Sequence, residues 1–419
     1  MVGHALTQDR ADTDVGEAIT HRLDELAHFT DGGRLTRLYL TPTHRQAAER
    51  VLQWMRDAGM SARIDAVGSV VGRYEGATPG APALLLGSHI YTVRDAGRFD
   101  GPMGVCIALA AVERLHRAGR RMPFAIEVLA FGDEEGVRFA STLGGSLTVA
   151  GRFDPKILDE KDTGGVTRRR ALMDFGCNPE KIAAESKDPR DVLGYVEVHI
   201  EQGPVLEAEG LPVGIVTAIN GATRGMAQVK GMAGHAGTVP MTMRRDALAA
   251  AAEMILMVEA RAGAESDLVA TVGRLLLTSP AANVIAGEAS FSIDVRAPTD
   301  AAREAAVRDI EAAIGAIAAK RGVEASVAFN YHAPAAACDE GLMRGLAGAI
   351  AGQGTKVRAL PSGAGHDAMS FRGRFPLAML FVRCKGGISH NPAEYAAPED
   401  IAVAVRVLAD FIDGFGAKA

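Results

Sequence analysis

The chain has 419 residues, 48% hydrophobic and 23% charged, with a formal net charge of -6. That length exceeds what one core usually serves and points to two domains, and the composition is that of a globular protein, not a disordered or fibrous one. Acidic and basic residues are interleaved with no basic stripe to meet phosphates, which argues against nucleic acid as a partner. Cys106, Cys177, Cys338 and Cys384 are widely separated and form no CxxC pair. Reduced thiols in a cytoplasmic protein are expected, not a disulfide framework or a cysteine-ligated zinc. The N-terminal stretch has no basic segment followed by an apolar one, and no run reaches the ~18 apolar residues of a membrane span, so neither secretion nor a membrane partner is expected.

In chain order, THRQAAERVLQWMRDAG from Thr43 repeats apolar residues at helical spacing, and SARIDAVGSVVGRYEG then predicts short strands with turns. ALLLGSHI is an apolar run of buried-strand type, followed by a helix over about 104–118 and by the strand FAIEVLAF, which runs into GDEEG. Strand, helix and strand in that order predict a parallel sheet with helices on its faces, where functional groups gather at strand ends. Residues 152–190 are charged and weakly periodic, as connecting helices and loops would be, and YVEVHIEQG then alternates like a strand. After Pro212 come VGIVTAI, AQVKGMAG, the helix DALAAAAEMILMVEA, the strand SFSIDVRA and the helix AAREAAVRDIEAAIGAIAAK. This texture predicts a small α+β domain over 213–329, inserted into a larger α/β domain of residues 1–212 and 330–419 that ends in the helix PEDIAVAVRVLADFIDGF.

Five segments carry candidate metal ligands beside glycine or at the end of a strand. They are GSH with His89, GRFDG with Asp100, GDEEG with Glu134 and Glu135, EVHIEQG with His199, and GGISHNPAEY with His390. Imidazole and carboxylate together suit zinc, manganese, cobalt or nickel, and a carboxylate has two oxygens with which to bridge two ions. Taken singly, each is more often a hydrogen-bonded structural histidine or a solvated acidic turn.

In order and spacing these segments resemble the M20 metallopeptidase and amidohydrolase family. Within it they resemble the branch of N-carbamoyl-L-amino acid hydrolases, β-ureidopropionases and allantoate amidohydrolases. The resemblance runs from about Gly33 to the final helix through GRFDGPMGV, FGDEEGVRF, EVHIEQGPVLE, GHAGTVPMTMRRDAL, NVIAGEASFSIDVR, SGAGHDAM and VRCKGGISHNPAEY. It implies a mixed, largely parallel central sheet flanked by helices, with an inserted ferredoxin-like domain acting as lid and homodimer interface. It also implies two divalent ions, zinc or manganese with cobalt or nickel as alternatives, bridged by Asp100. His89 and His199 would complete one ion, Glu135 and His390 the other, and Glu134 would be the general base. His235 would stabilise the tetrahedral intermediate. Asn283 and Arg296 would hold a substrate carboxylate, Gln202 would add a polar contact, and His366 would touch substrate or support the metals without ligating.

The implied activity is hydrolysis of a ureido carbon–nitrogen bond. GRLTRLYLTPTHRQAA and VRCKGGISHNPAEY resemble the allantoate branch somewhat more than the carbamoylases, which keeps N-carbamoyl-L-amino acids and 3-ureidopropionate as alternatives. A dipeptidase or aminopeptidase of the family is a further alternative. Against it, many peptidase relatives carry an aspartate or glutamate where His199 stands. A binding protein of little activity is the reading from another class, and its support is one departure. The family motif at His89 is GSHxDT, whose aspartate fixes the ligand histidine, whereas this chain has GSHIYT with Tyr91 in that place. Losing such a partner costs about 10–100-fold in metal affinity or activity. A weakened ion at His89 is therefore expected, improved by Tyr91→Asp, unless the phenol or another group substitutes.

Overall fold

The computed structural model describes the backbone of residues 2–416 and the side chains of residues 14–415. The chain divides into two compact units. One comprises the described residues up to Thr217, then Cys338–Leu360, then those from His366 onward; the other is Ala218–Ala337 with Pro361–Gly365.

The first unit is built on a mixed sheet at whose centre four neighbouring strands run parallel, in the order Ala125–Phe131, Ala83–His89, Val192–Ile200 and Leu377–Val382. The register pairs Ala83 with Ala125 through His89 with Phe131, and Leu377 with Tyr195 through Val382 with Ile200. Every residue of Ala83–His89 and of Ala125–Phe131 is buried, which is why these strands read as unbroken apolar runs instead of alternating. Val70–Tyr74 and Ser61–Ile64 extend one side of the sheet antiparallel, and Val213–Ile219 extends the other.

The helix Pro42–Asp57 starts on Thr41, whose side chain accepts from the His44 amide, and has proline in its first turn. It buries Ala47, Ala48, Val51, Trp54 and Met55. Pro102–Arg117 buries most of its surface and Pro398–Gly416 an apolar stripe that includes Ile401, Ala404 and Leu408. An N-terminal helix, Val2–Ala27, is an addition to the elements anticipated above. Its buried residues Ile19, Leu23 and Leu26 recur at helical spacing, and it packs against Pro398–Gly416. The charged stretch after residue 152 forms the short helices Pro155–Asp159, Arg168–Phe175 and Pro179–Glu185.

The second unit carries a separate antiparallel sheet in the order Leu275–Leu277, Glu288–Ala297, Gly221–Lys230 and Glu324–Ala333, with Val269–Thr271 also paired to Glu288–Ala297. Burial alternates along Glu288–Ala297, so one face meets the helices Ala247–Gly263 and Asp300–Arg321 through Phe291, Ile293, Met254, Ile310 and Ile314. The chain enters this unit at Ala218 and leaves it at Ala337, later than the composition change suggests. The reason is pairing: Val213–Ile219 joins the first unit's sheet, with Val213 opposite Val382. Among the described residues no helix is long and apolar enough to cross a membrane, and the four cysteines are unpaired.

Candidate metal centre

The candidate ligands converge because the four parallel strands end side by side. His89 closes Ala83–His89, Glu134 and Glu135 follow Phe131, His199 and Gln202 lie at the end of Val192–Ile200, and His390 lies beyond Val382. Asp100 enters from the turn before the Pro102–Arg117 helix. The C-terminal edge of a parallel sheet is where such folds place their sites.

Asp100 stands at the middle. Its Oδ1 is 3.2 Å from His89 Nε2 and 3.3 Å from His199 Nε2; its Oδ2 is 3.5 Å from His390 Nε2, which in turn is 3.1 Å from Glu135 Oε1. Among the described residues three groups of donor atoms each lie within 4.8 Å, and two of them, His89–Asp100–His199 and Asp100–Glu135–His390, share Asp100; the third is His89–Glu134–Glu135. Bonds of about 2.1 Å in tetrahedral geometry set neighbouring ligand atoms about 3.4 Å apart. The spacing therefore fits two small divalent ions sharing one carboxylate.

The electrostatics point the same way. Burial opposes a proton on His199, yet the facing Asp100 carboxylate carries that imidazole up to about 9. His390 also rises to about 9, through its hydrogen bond to Glu135. Burial opposes ionisation of Asp100 too, but His199 and His89 hold its carboxyl well below the usual range. These donors thus attract positive charge of the kind a cation supplies. Burial, then the neighbouring charges of Glu135 and Asp367, push the Glu134 carboxyl well up.

The candidate ligands are held from behind. His199 Nδ1 faces the Ile200 carbonyl at 3.0 Å and His89 Nδ1 the Tyr91 carbonyl at 3.1 Å, which leaves each Nε2 for the cluster. His89 Nδ1 thus has a main-chain acceptor at residue 91 in this chain. The Tyr91 side chain is buried between His89 and Tyr39, with ring centroids 5.4 and 6.5 Å away, and among the described residues its hydroxyl has no hydrogen-bond partner. Glu394 Oε1 accepts from the amides of Phe99 and Asp100 at 2.8 and 2.9 Å. Asp100 Oδ2 accepts from Gln202 Nε2 at 2.7 Å and from Ser389 Oγ. Gln202 and His390 both have positive φ, 57° and 55°, local strain that the surrounding contacts maintain at the site. Gly101, at φ 82°, has no room for a side chain, since a Cβ there would lie 2.3 Å from the His89 ring.

His366 is buried, its ring 4.6 Å from that of His199, and burial pushes its imidazole well down, so it stays neutral. Gln202 turns its amide nitrogen to Asp100 and Ser389, while its Oε1 is buried without a partner among the described residues. His235, Asn283 and Arg296 all lie in the second unit. There His235 pairs with Val284 on two short strands, its Nδ1 accepts from the Gly237 amide at 3.0 Å, and Asn283 accepts from the Ala236 amide through its carbonyl. Arg296 is engaged by both oxygens of Asp294, each at 2.9 Å, and donates to the Gly363 carbonyl at 2.7 Å. Sequence reasoning missed Ser389 and Glu394, although both sit inside GGISHNPAEY. Neither is a metal-ligand signal by spacing, and their contacts to Asp100 cross almost three hundred residues.

Two donor sets that share a carboxylate, with another carboxylate alongside at the mouth of a parallel sheet, define the class of metal-dependent hydrolases. The chain belongs to peptidase family M20/M25/M40, whose sequence profile matches residues 85–414. It is 40% identical to "Allantoate deiminase 1" of Glycine max over 94% of this chain and 88% of the relative. It is 38% identical to "N-carbamoyl-L-amino acid amidohydrolase" of Geobacillus stearothermophilus over 94% of this chain and 97% of the relative. The structure is similar to that of a hydantoinase/carbamoylase family amidase from Burkholderia multivorans, with a TM-score of 0.89, 32% identity and coverage of 95% and 97%. The protein is therefore a hydrolase of the allantoate and N-carbamoyl amino acid amidohydrolase type.

Proposed function

We propose that the protein cleaves a ureido carbon–nitrogen bond in a small carboxylated substrate, with allantoate as the first choice. The observation that carries this reading is Asp100, whose Oδ1 faces the imidazoles of His89 and His199 and whose Oδ2 faces that of His390, with Glu134 next in sequence to Glu135. His89, Asp100 and His199 would hold one divalent ion and Asp100, Glu135 and His390 the other, with zinc or manganese favoured by the donor set. Two such ions lower the pKa of a water and polarise a carbonyl. Glu134 takes a proton from the attacking water and returns it to the leaving nitrogen as the carbon–nitrogen bond breaks. The released carbamic acid falls apart to ammonia and carbon dioxide.

Ser389, Gln202 and Glu394 keep Asp100 turned between the two sets. Arg296, a planar two-pronged donor, and Asn283 bind the substrate carboxylate, His235 stabilises the negative charge of the tetrahedral intermediate, and His366 borders the substrate as a neutral ring. The second unit exposes Leu256, Val269, Leu275 and Leu276, apolar residues suited to a homodimer interface. Four unpaired cysteines suit a reducing compartment such as the cytoplasm.

Identities of 40% and 38% keep N-carbamoyl-L-amino acids as a second reading. Ammonia release from allantoate, N-carbamoyl-L-amino acids, 3-ureidopropionate and a dipeptide control, measured with metal content per chain, tests both. Turnover of allantoate with two ions bound is expected. Dipeptide cleavage with no action on any ureido compound would overturn the proposal, as would ligand binding by metal-replete protein without turnover.

A further inference from the structure

The segment GRLTRLY, far from every candidate ligand in sequence, grips the loop that follows His89. Arg37 is buried, with 1% of its surface exposed, and its guanidinium donates to the carbonyls of Leu26 at 2.6 Å, Phe29 at 3.2 Å and Ile90 at 2.8 Å. Burial lowers it only to about 10, so it stays charged at neutral pH. Its main chain is engaged as well: the Arg37 amide donates to Thr92 Oγ1 at 2.9 Å and the Arg37 carbonyl accepts from the Thr92 amide at 3.0 Å.

A trans peptide is planar, and its N–H and C=O point in opposite directions. The Thr92 N–H and the Tyr91 C=O belong to one peptide unit. Holding that N–H on Arg37 therefore aims the Tyr91 carbonyl away from Arg37, toward His89 Nδ1, which faces it at 3.1 Å. The guanidinium fixes the preceding peptide unit through Ile90, whose own amide donates to Phe131 at 3.0 Å. Both peptide units that flank the Tyr91 Cα are thus locked, whatever side chain residue 91 carries.

We propose that Arg37 is a positioning residue for the metal centre, and that through Ile90 and Thr92 it presents the Tyr91 carbonyl which sets the orientation and proton placement of His89. The inference rests on the reading of His89 as a ligand. It assigns to Arg37 the support that GSHxDT places on an aspartate side chain, and explains how a chain with tyrosine there can keep that ligand oriented.

The test compares Arg37→Met, Thr92→Val and Tyr91→Phe in the full-length protein. In metal-free, 15N-histidine-labelled protein, the His89 Nδ1 proton is expected as a slowly exchanging signal that persists in Tyr91→Phe and is lost in Arg37→Met. Competition of zinc with a chromophoric chelator should show one of two ions held about 10–100-fold more weakly in Arg37→Met, the other unchanged, and both unchanged in Tyr91→Phe. General structural damage would weaken both ions alike. Thr92→Val, the milder change, should move both readouts in the same direction and decides the matter if Arg37→Met does not fold. An unaltered proton signal and two unaltered affinities in the folded variants would overturn the proposal, as would loss of either in Tyr91→Phe. If the parent protein binds no zinc, the two-metal reading fails, and the proton signal still decides the role of Arg37.

Discussion

Gly101→Ala is the smallest change expected to disable the centre while leaving the folded core intact. Gly101 has φ 82° and ψ -66°, a conformation that costs an L residue ~1–3 kcal/mol. The added Cβ would also lie 2.3 Å from Cε1 and Nδ1 of His89, a ring only 2% exposed. The ring cannot swing aside without giving up both the Tyr91 carbonyl and the approach of Nε2 to Asp100. The damage therefore falls on one of the two donor sets. The metal-free variant should melt a few degrees lower, while the ion at His89 should bind at least ~100-fold more weakly, more than the loss of an outer support would cost. Calorimetric titration of zinc into metal-free protein, with circular dichroism to check the fold, measures both. Two ions bound with parental affinity in folded Gly101→Ala would refute the reasoning, because the added Cβ falls on the present position of the His89 ring.

Glu134→Gln should lower kcat on the ureido substrate by about 100- to 10,000-fold while leaving metal content at the parental level, since the amide cannot carry the proton but Glu134 is outside both proposed ligand sets. Parental turnover, or a loss of metal that accounts for the fall, would remove Glu134 from the role of base. Asp65 is a separate, structural case. Burial pushes its carboxyl up to about 7 although it accepts from the amides of Val67 at 2.9 Å and Ser69 at 2.8 Å. Because the folded value lies above the unfolded one, the native state keeps a proton that the unfolded chain gives up. This group's contribution to stability is therefore full below about pH 4, falls as pH rises to about 7 and stays low above that, by at most ~4 kcal/mol. Asp65→Asn keeps the acceptor without the charge, so it should raise stability at pH 8 and do little near pH 4. Urea unfolding at the two pH values checks this, and an equal gain at both would contradict it.

Much of this arrangement was legible from residue types. Unbroken apolar runs gave Ala83–His89 and Ala125–Phe131 as buried parallel strands, and histidines and acids at strand ends marked the candidate centre. Periodicity located several of the long helices, though not Val2–Ala27 or Glu340–Gly352, and not the division of the chain at Ala218, because whether Val213–Ile219 belongs to one sheet or another depends on its partner, Leu377–Val382. The hold on Asp100 by Ser389 and Glu394, and on His89 by a carbonyl, left no trace that spacing could reveal. A main-chain acceptor is common to every residue, so the sequence signals a missing aspartate at position 91 but not the group that takes its place.

The parallel order of the central strands also imposes a schedule on the growing chain. The residues of the first donor set have all been made once synthesis reaches His199, whereas the second waits for His390, after the whole of Ala218–Ala337. The strand that brings His390 into place, Leu377–Val382, pairs with Val192–Ile200, nearly two hundred residues earlier. Contacts of such long range are the slow part of folding. A chain interrupted before that strand carries all three residues of the first donor set and two of the three of the second, so completion of the second set reports that the sheet has closed.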